Sequence, residues 1–477
     1  MRTSHLLPSC LLALAAMSAA RAQDHRPVAF TNARIITVSG ETIERGTLVI
    51  RHGKIEALGA DTAPPAGARI VDASGKTILP GLVCASSNAG LTSTGSARST
   101  SPRSGRSRRN PFEMPSRSSG AENKAATKVV DGLYARQKIF GELLEAGITS
   151  LALTPQGNAF PGLGAVLAPD GKTIEELTAD DSAFVQITMA RDAQTKKLLA
   201  DNLEKAKKIV EERKKPKEAE KPAEPQKQPE AGKPEEVKPA EPAKGQEPPK
   251  PTPTPDPKPT PTPTPAPKPE EKPAEAAKPA RPETKPEAKK DPNLELLADL
   301  LEGKQRALVA IGSAADLLHW KSVVDDKIEF PRALVVGRHD PYSGTIDLVL
   351  DDIKKLGCAV LLPPAMTTKV RTQHMVHPAK ILHDAGVEVG FVVDCTKTGA
   401  RQTFFRLMEL VRCGLPADVA LKGVTLVPAK ALGIDKSTGS LEVGKDANLL
   451  VFRGDPLDPE GELDSVWFHG RNAGQQP

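Results

Sequence analysis

The sequence predicts an α/β fold made of parallel βα units, and three observations carry that prediction. Short, almost wholly apolar runs (RALVVGR from Arg332, AVLLPP from Ala359, EVGFVVDC from Glu388) alternate with segments of helical spacing. Strands covered on both faces by crossover helices read in this way. Both ends of the chain instead carry short alternating strands divided by glycine turns. Between positions 215 and 291 all periodicity stops.

Taken in order, the first 22 residues read as a cleavable export signal. Arg2 and His5 precede an apolar run from Leu11 to Met17, and Ala20-Arg21-Ala22 offers a small-x-small cleavage site. The run is too short to span a bilayer, so an exported, periplasmic protein with no transmembrane helix is expected. Leu7-Pro8-Ser9-Cys10 resembles a lipoprotein box but precedes the apolar core instead of following it. Removal of the signal leaves Cys84, Cys358, Cys395 and Cys413, whose spacing matches no zinc ribbon. In 477 residues a formal charge of +5 is mild, and 3% aromatic content leaves few stacking platforms. Nucleic acid is therefore not an expected partner.

From Val28 to Lys76 the pattern is strand and turn, with Gly40, Gly46, Gly53 and Gly75 as punctuation. The stretch Ile78–Asn88 (ILPGLVCASSN) then starts as an apolar strand, breaks at Pro80-Gly81 and ends in small polar residues. A Ser- and Arg-rich stretch holding Arg98, Arg103, Arg106, Arg108 and Arg109 reads as a solvated loop. Helical spacing is expected over Ala126–Ala146, strands over Gly147–Pro155, Gly162–Pro169 and Ser182–Met189, and a long charged helix over Ala193–Lys214. The 215–291 segment repeats Lys, Pro, Glu and Ala and holds more than half of the chain's 45 prolines. With so little apolar surface it is expected to stay solvated. Because βα pattern resumes after it, it is a loop that returns to the same rim, and an envelope or cell-wall partner is the interaction it would suit. Helices are expected again over NLELLADLLEG, Thr403–Cys413 and Ala417–Leu432.

Several of these stretches together resemble the amidohydrolase superfamily, in particular its imidazolonepropionase-like members. The PGL frame at Pro80–Leu82, GSLEVGKDANLL at Gly439–Leu450 with SVWFHGR after it, and ALKGVTLVPAKALGI carry the resemblance. It implies a (β/α)8 TIM-type barrel with a small split β-sandwich contributed by both chain ends. The divisions are then 27–80 and 438–472 for the sandwich, and 81–214 and 292–437 for the barrel around the 215–291 insertion. The activity implied is metal-dependent hydrolysis of carbon–nitrogen bonds, on cyclic amides or dipeptide-like substrates, with a divalent ion such as zinc at the C-terminal ends of the strands.

The family's metal-binding frame is kept here while its ligands are not. Where the resemblance places an aspartate and then His-x-His, this chain has Cys84, Ser86 and Asn88. The frame LVAIGSAADLL puts Ala310 at a histidine position, and ALVVG puts Gly337 at another. GVEVGFVVD aligns Asp394 with the catalytic aspartate, the one position clearly kept. Hydroxyls and amides replace imidazole poorly on zinc. Two readings follow: a metal-free pseudo-hydrolase that binds or scaffolds in the envelope, or a reduced mononuclear site using Asp394 with His339 or the His374–His377 pair. Because strands one and eight adjoin in a closed barrel, Cys84 and Cys395 are also candidates for a disulfide across the seam.

Overall fold

The computed structural model describes residues 26–91, 121–190, 192–214, 290–324, 328–337, 343–369 and 371–475. The expected export signal, the arginine-rich stretch, residues 215–289 of the insertion and His339 lie outside the described residues.

Strands β1 (Val28–Ile35), β2 (Ile43–Arg51), β3 (Lys54–Gly59), β4 (Arg69–Asp72) and β5 (Lys76–Pro80) open the chain. They join β17 (Leu449–Arg453), β18 (Glu462–Phe468) and β19 (Arg471–Asn472) from the far end. The two sets meet where β5 pairs antiparallel with β17, from Pro80 opposite Leu449 to Lys76 opposite Arg453. All eight belong to one hydrogen-bonded sheet, in place of the two sheets of a sandwich. Alternate residues of these strands fill a common apolar core, in which Phe30 meets Trp467 edge-on with ring centroids 5.0 Å apart.

Pro80-Gly81 is where the chain leaves this sheet for the barrel. Gly81 donates to the Asn448 carbonyl at 2.9 Å, and Leu82 to the Gly147 carbonyl at 2.9 Å. A Cβ on Gly81 would stand 2.1 Å from Thr149 Oγ1, so no larger residue fits the crossing.

The barrel wall runs β6 (Leu82–Ser87), β8 (Ile148–Leu153), β9 (Ala159–Leu167), β10 (Thr178–Thr188), β11 (Ala307–Ile311), β12 (Arg332–Val336), β13 (Val360–Leu362) and β16 (Val389–Phe391). The short β7 (Glu122–Asn123) pairs with β9, and β14 (Thr367–Thr368) with β15 (Met375–Val376). One departure from an all-parallel barrel is clear: β9 is antiparallel to both of its neighbours. A second is that β6 and β16 are the two ends of the hydrogen-bonded order, so the expected closing ladder is not formed among the described residues. The wall is a nearly closed mixed sheet.

Helices α1 (Ile139–Glu145), α2 (Ile174–Leu177), α3 (Ala193–Lys214), α4 (Pro292–Leu301), α5 (Ala314–Val323), α6 (Leu350–Leu356), α7 (Pro378–Asp384), α8 (Lys397–Arg401), α9 (Thr403–Arg412), α10 (Ala417–Val424) and α11 (Leu426–Leu432) complete the fold. Helix is confined to α1 and a 3-10 turn at Val129–Gly132 within the stretch where Ala126–Ala146 suggested one long helix. Strand parity sorts the wall residues. Val309, Leu334 and Ile187 pack under the outer helices, while Leu308, Val335, Leu361 and Phe184 point inward. Val427, Ala429 and Leu432 of α11 join that inner cluster. Gly390 on β16 makes room for it, because a Cβ there would lie 2.2 Å from Leu361 Cδ2 and 2.9 Å from Val427 Cγ1. Each such fully buried aliphatic side chain stabilises by roughly 1.5–3 kcal/mol relative to exposure.

The segments flanking 216–289 belong to one compact unit. At the end of α3, Arg213 pairs with Glu295, with Asp299 at 2.8 Å and with Glu302 at 3.1 Å, all three on or beside α4.

Candidate functional site

Inward-facing side chains are apolar through the middle of the barrel and turn polar at the C-terminal strand ends. There they surround a cavity of about 350 Å³. Ser86, Ser87 and Asn88 come from the end of β6, Thr154 and Gln156 from the turn after β8, and Gln186 and Thr188 from β10. Register explains the arrangement. Thr188 stands opposite Ala310, and Ala310 opposite Val335, so the three fall on one level of the wall. Gln186 lies two residues deeper on the same face and is only 5% exposed. Its Nε2 donates to the Ile187 carbonyl at 3.2 Å. Thr154 Oγ1 donates to the Ser87 carbonyl at 2.9 Å and lies 3.3 Å from Ser86 Oγ.

Four residues that the sequence frame assigns to ligand positions, Ser86, Asn88, Ala310 and Gly337, therefore do meet around one opening. Asp394 does not line it. Its neighbour Cys395 does, while Asp394 opens onto a second cavity of about 230 Å³ with Pro363, Pro364 and Arg406. The cause is local. Asp394 Oδ1 accepts from the Thr396 amide at 3.0 Å, and Thr396 Oγ1 in turn accepts from the Gly399 amide at 3.1 Å, capping α8. The carboxyl is tucked so closely under that turn that a Cβ on Gly399 would lie 1.9 Å from Asp394 Cγ.

Among the described residues the histidines are dispersed. His377 is buried at the start of α7, where Nδ1 accepts from the Lys380 amide at 3.0 Å and Nε2 lies 3.0 Å from the Leu410 carbonyl. Both ring nitrogens are thus committed to holding α7 against α9. His374 sits exposed beside the β14–β15 hairpin. The pair does not converge with Asp394, and no group of three or more His, Cys, Asp or Glu side chains converges among the described residues.

Zinc and its relatives take imidazole, thiolate or carboxylate ligands. Among the described residues lining the mouth, the polar groups are hydroxyls and carboxamides, and the Cys395 sulfur is bonded to Cys84. These residues do not fit such an ion.

That bond joins β6 to the segment just beyond β16, with the two α-carbons 6.9 Å apart and 311 positions between them in sequence. Cys84 is fully buried in the layer between wall and helices, and its Sγ also lies 3.4 Å from the Val393 carbonyl oxygen. The cross-link spans the seam where the ladder is missing. Cys358 is a free thiol at the opposite end of the wall, and burial pushes its pKa up.

Sequence reasoning did not single out Thr154, Gln156, Gln186 or Thr188. The signal was a glutamine and a threonine at i and i+2 in the otherwise apolar strand AFVQIT, both on the inward face.

Comparison with known proteins gives the same architecture a family. Over 93% of its length the chain superposes on 99% of a crystal structure of an amidohydrolase from Thermotoga maritima, with a TM-score of 0.64 at 19% identity, a likeness of fold. It is 37% identical over 115 residues to an imidazolonepropionase of Pseudomonas fluorescens, covering 24% of this chain and 27% of that relative. With an imidazolonepropionase of Treponema denticola it shares 26% identity over 209 residues, 40% of this chain and half of the other. The chain thus spans half or less of the length of these curated relatives. Residues 343–473 match the model of the amidohydrolase family. That match takes in the last barrel strands and the returning β segment, and over it the chain is similar to the amidohydrolase family.

Proposed function

We propose that this protein keeps the amidohydrolase barrel without its hydrolytic chemistry, and acts as a metal-free binding or scaffold protein of the cell envelope. The observation that carries the reading is the composition of the mouth. Ser86, Asn88, Ala310 and Gly337 stand together where a hydrolase of this family would present metal ligands, and Asp394 faces elsewhere. Metal-assisted hydrolysis requires an ion to acidify water and a base aimed at that water. Among the described residues lining this opening, no side chain meets either requirement. Hydrolysis of carbon–nitrogen bonds, the class implied by family, is thereby reduced to binding.

Export rests on the N-terminal 22 residues, and the Cys84–Cys395 bond suits an oxidising compartment. The test is an assay of the purified mature protein, with added zinc or manganese, against hydantoins, lactams and dipeptides. The expected result is no turnover above the uncatalysed rate. Turnover abolished by Asp394→Asn would reject the proposal and restore the mononuclear reading.

A further inference from the structure

We infer that the barrel mouth binds a neutral polyhydroxylated molecule of monosaccharide to disaccharide size. The inference rests on the reading of the mouth as a metal-free binding site, and names its ligand class. At about 350 Å³ the cavity falls within the ~300–1,000 Å³ usual for small-molecule sites, near the lower end.

Charge narrows the class first. No ionisable side chain is among the described residues lining the cavity. Against this described lining a carboxylate, phosphate or ammonium would lose hydration and meet no counter-charge, which disfavours charged ligands.

Hydrogen-bonding capacity narrows it further. Gln186 is held through Nε2 by the Ile187 carbonyl, which fixes the carboxamide plane, and no hydrogen bond to its Oε1 comes from the described residues. Thr154 spends its proton on the Ser87 carbonyl, so in the contact with Ser86 the Ser86 hydroxyl is the donor and keeps its own lone pairs open. Asn88 and Thr188 add a carboxamide and a hydroxyl with no side-chain partner among the described residues. The mouth thus offers donors and acceptors intermixed on several sides. A single amide would satisfy one of each and strand the rest. Adjacent hydroxyls, each both donor and acceptor, satisfy a carboxamide and a hydroxyl at once. Val335 and Val392 supply an apolar wall on which the C–H face of a sugar ring can rest.

Isothermal titration calorimetry of the full chain is the test, with glucose, galactose, N-acetylglucosamine, lactose and trehalose as neutral probes, and glucuronate and glucosamine as charged counterparts. At least one neutral probe is expected to bind saturably, at least tenfold more tightly than glucuronate or glucosamine. Asn88→Ala and Thr188→Val, both at the rim and neither in the core, should each weaken binding about 5- to 10-fold, the worth of one neutral hydrogen bond. No saturable heat from any neutral probe, tighter binding of a charged one, or unchanged affinity in both variants would overturn the inference. Failure of the metal-free reading is separately legible, because turnover in the hydrolysis assay leaves the sugar titration as it was.

Discussion

Severing the Cys84–Cys395 bond is the perturbation that most strains this account of the barrel. Strands β6 and β16 have no ladder between them, so the seam relies on helices α10 and α11, which pack against both, and on the one covalent link. With 311 positions between the cysteines, the chain-entropy model gives an upper value of about 5–6 kcal/mol. A kilocalorie shifts the midpoint of a 150–250-residue domain by ~2–4 °C, and a larger one by less. Loss of the bond should therefore lower the thermal midpoint by about 10 °C at most. Differential scanning calorimetry with and without a phosphine reductant isolates the cross-link. Cys84→Ala adds a second loss at a fully buried site, and so should fall below the reduced wild type. Peptide mapping after alkylation reports the bond directly. A midpoint indifferent to reductant, with both cysteines of exported protein recovered as alkylated thiols, would show that the seam holds without the bond.

Three other outcomes are expected. Gly390→Val drives a side chain into Leu361 and Val427, and should cost about 1–3 kcal/mol by chemical denaturation; an unchanged midpoint would mean that the strand relaxes freely. Lys76, by its 2.8 Å contact, and then Arg453 hold the Asp464 carboxyl below its ordinary range. A depressed folded-state pKa gives stability that is complete above the unfolded carboxylate range and is lost as pH falls through the folded value. Asp464→Asn should accordingly cost about 0.5–1 kcal/mol at pH 7 and converge with wild type in acid, read from denaturation at several pH values. Replacing residues 216–289 with a short Gly-Ser linker should leave the midpoint nearly unchanged, since Arg213 and its three carboxylates already tie the flanks together; a large drop would show that the segment contributes to the fold.

Much of this architecture is legible in the residues because burial pattern encodes element type. The charged helix at Ala193–Lys214 and the apolar runs at Arg332, Ala359 and Glu388 emerge as α3, β12, β13 and β16. Strand direction is not encoded in the same way. Pattern within Gly162–Pro169 reports a strand but cannot say that β9 runs against its neighbours, which its pairing with β8 and β10 decides. Pairing across sheets escapes the sequence too, so the terminal strands read as two halves of a sandwich but join in one sheet. At the site, alignment finds Ser86, Asn88, Ala310 and Gly337 because the surrounding frame is intact. It does not foresee that Asp394 borders a second opening, because position along a strand does not fix direction at its end. The signal that turns it away is the run Asp394-Cys395-Thr396 with Gly399, an Asx turn leading into a helix cap. Gln186 escaped notice because a lone glutamine in an apolar strand has no motif, and only the curvature of the wall gives it neighbours.

Metal content of the mature protein, purified without chelator and then dialysed against zinc, manganese or iron, decides whether the barrel mouth holds an ion. A mouth of hydroxyls and carboxamides, with its sulfur engaged in the Cys84–Cys395 bond, should retain well under one equivalent of any of the three by elemental analysis. One tightly held equivalent, lost on Asp394→Ala, would contradict it.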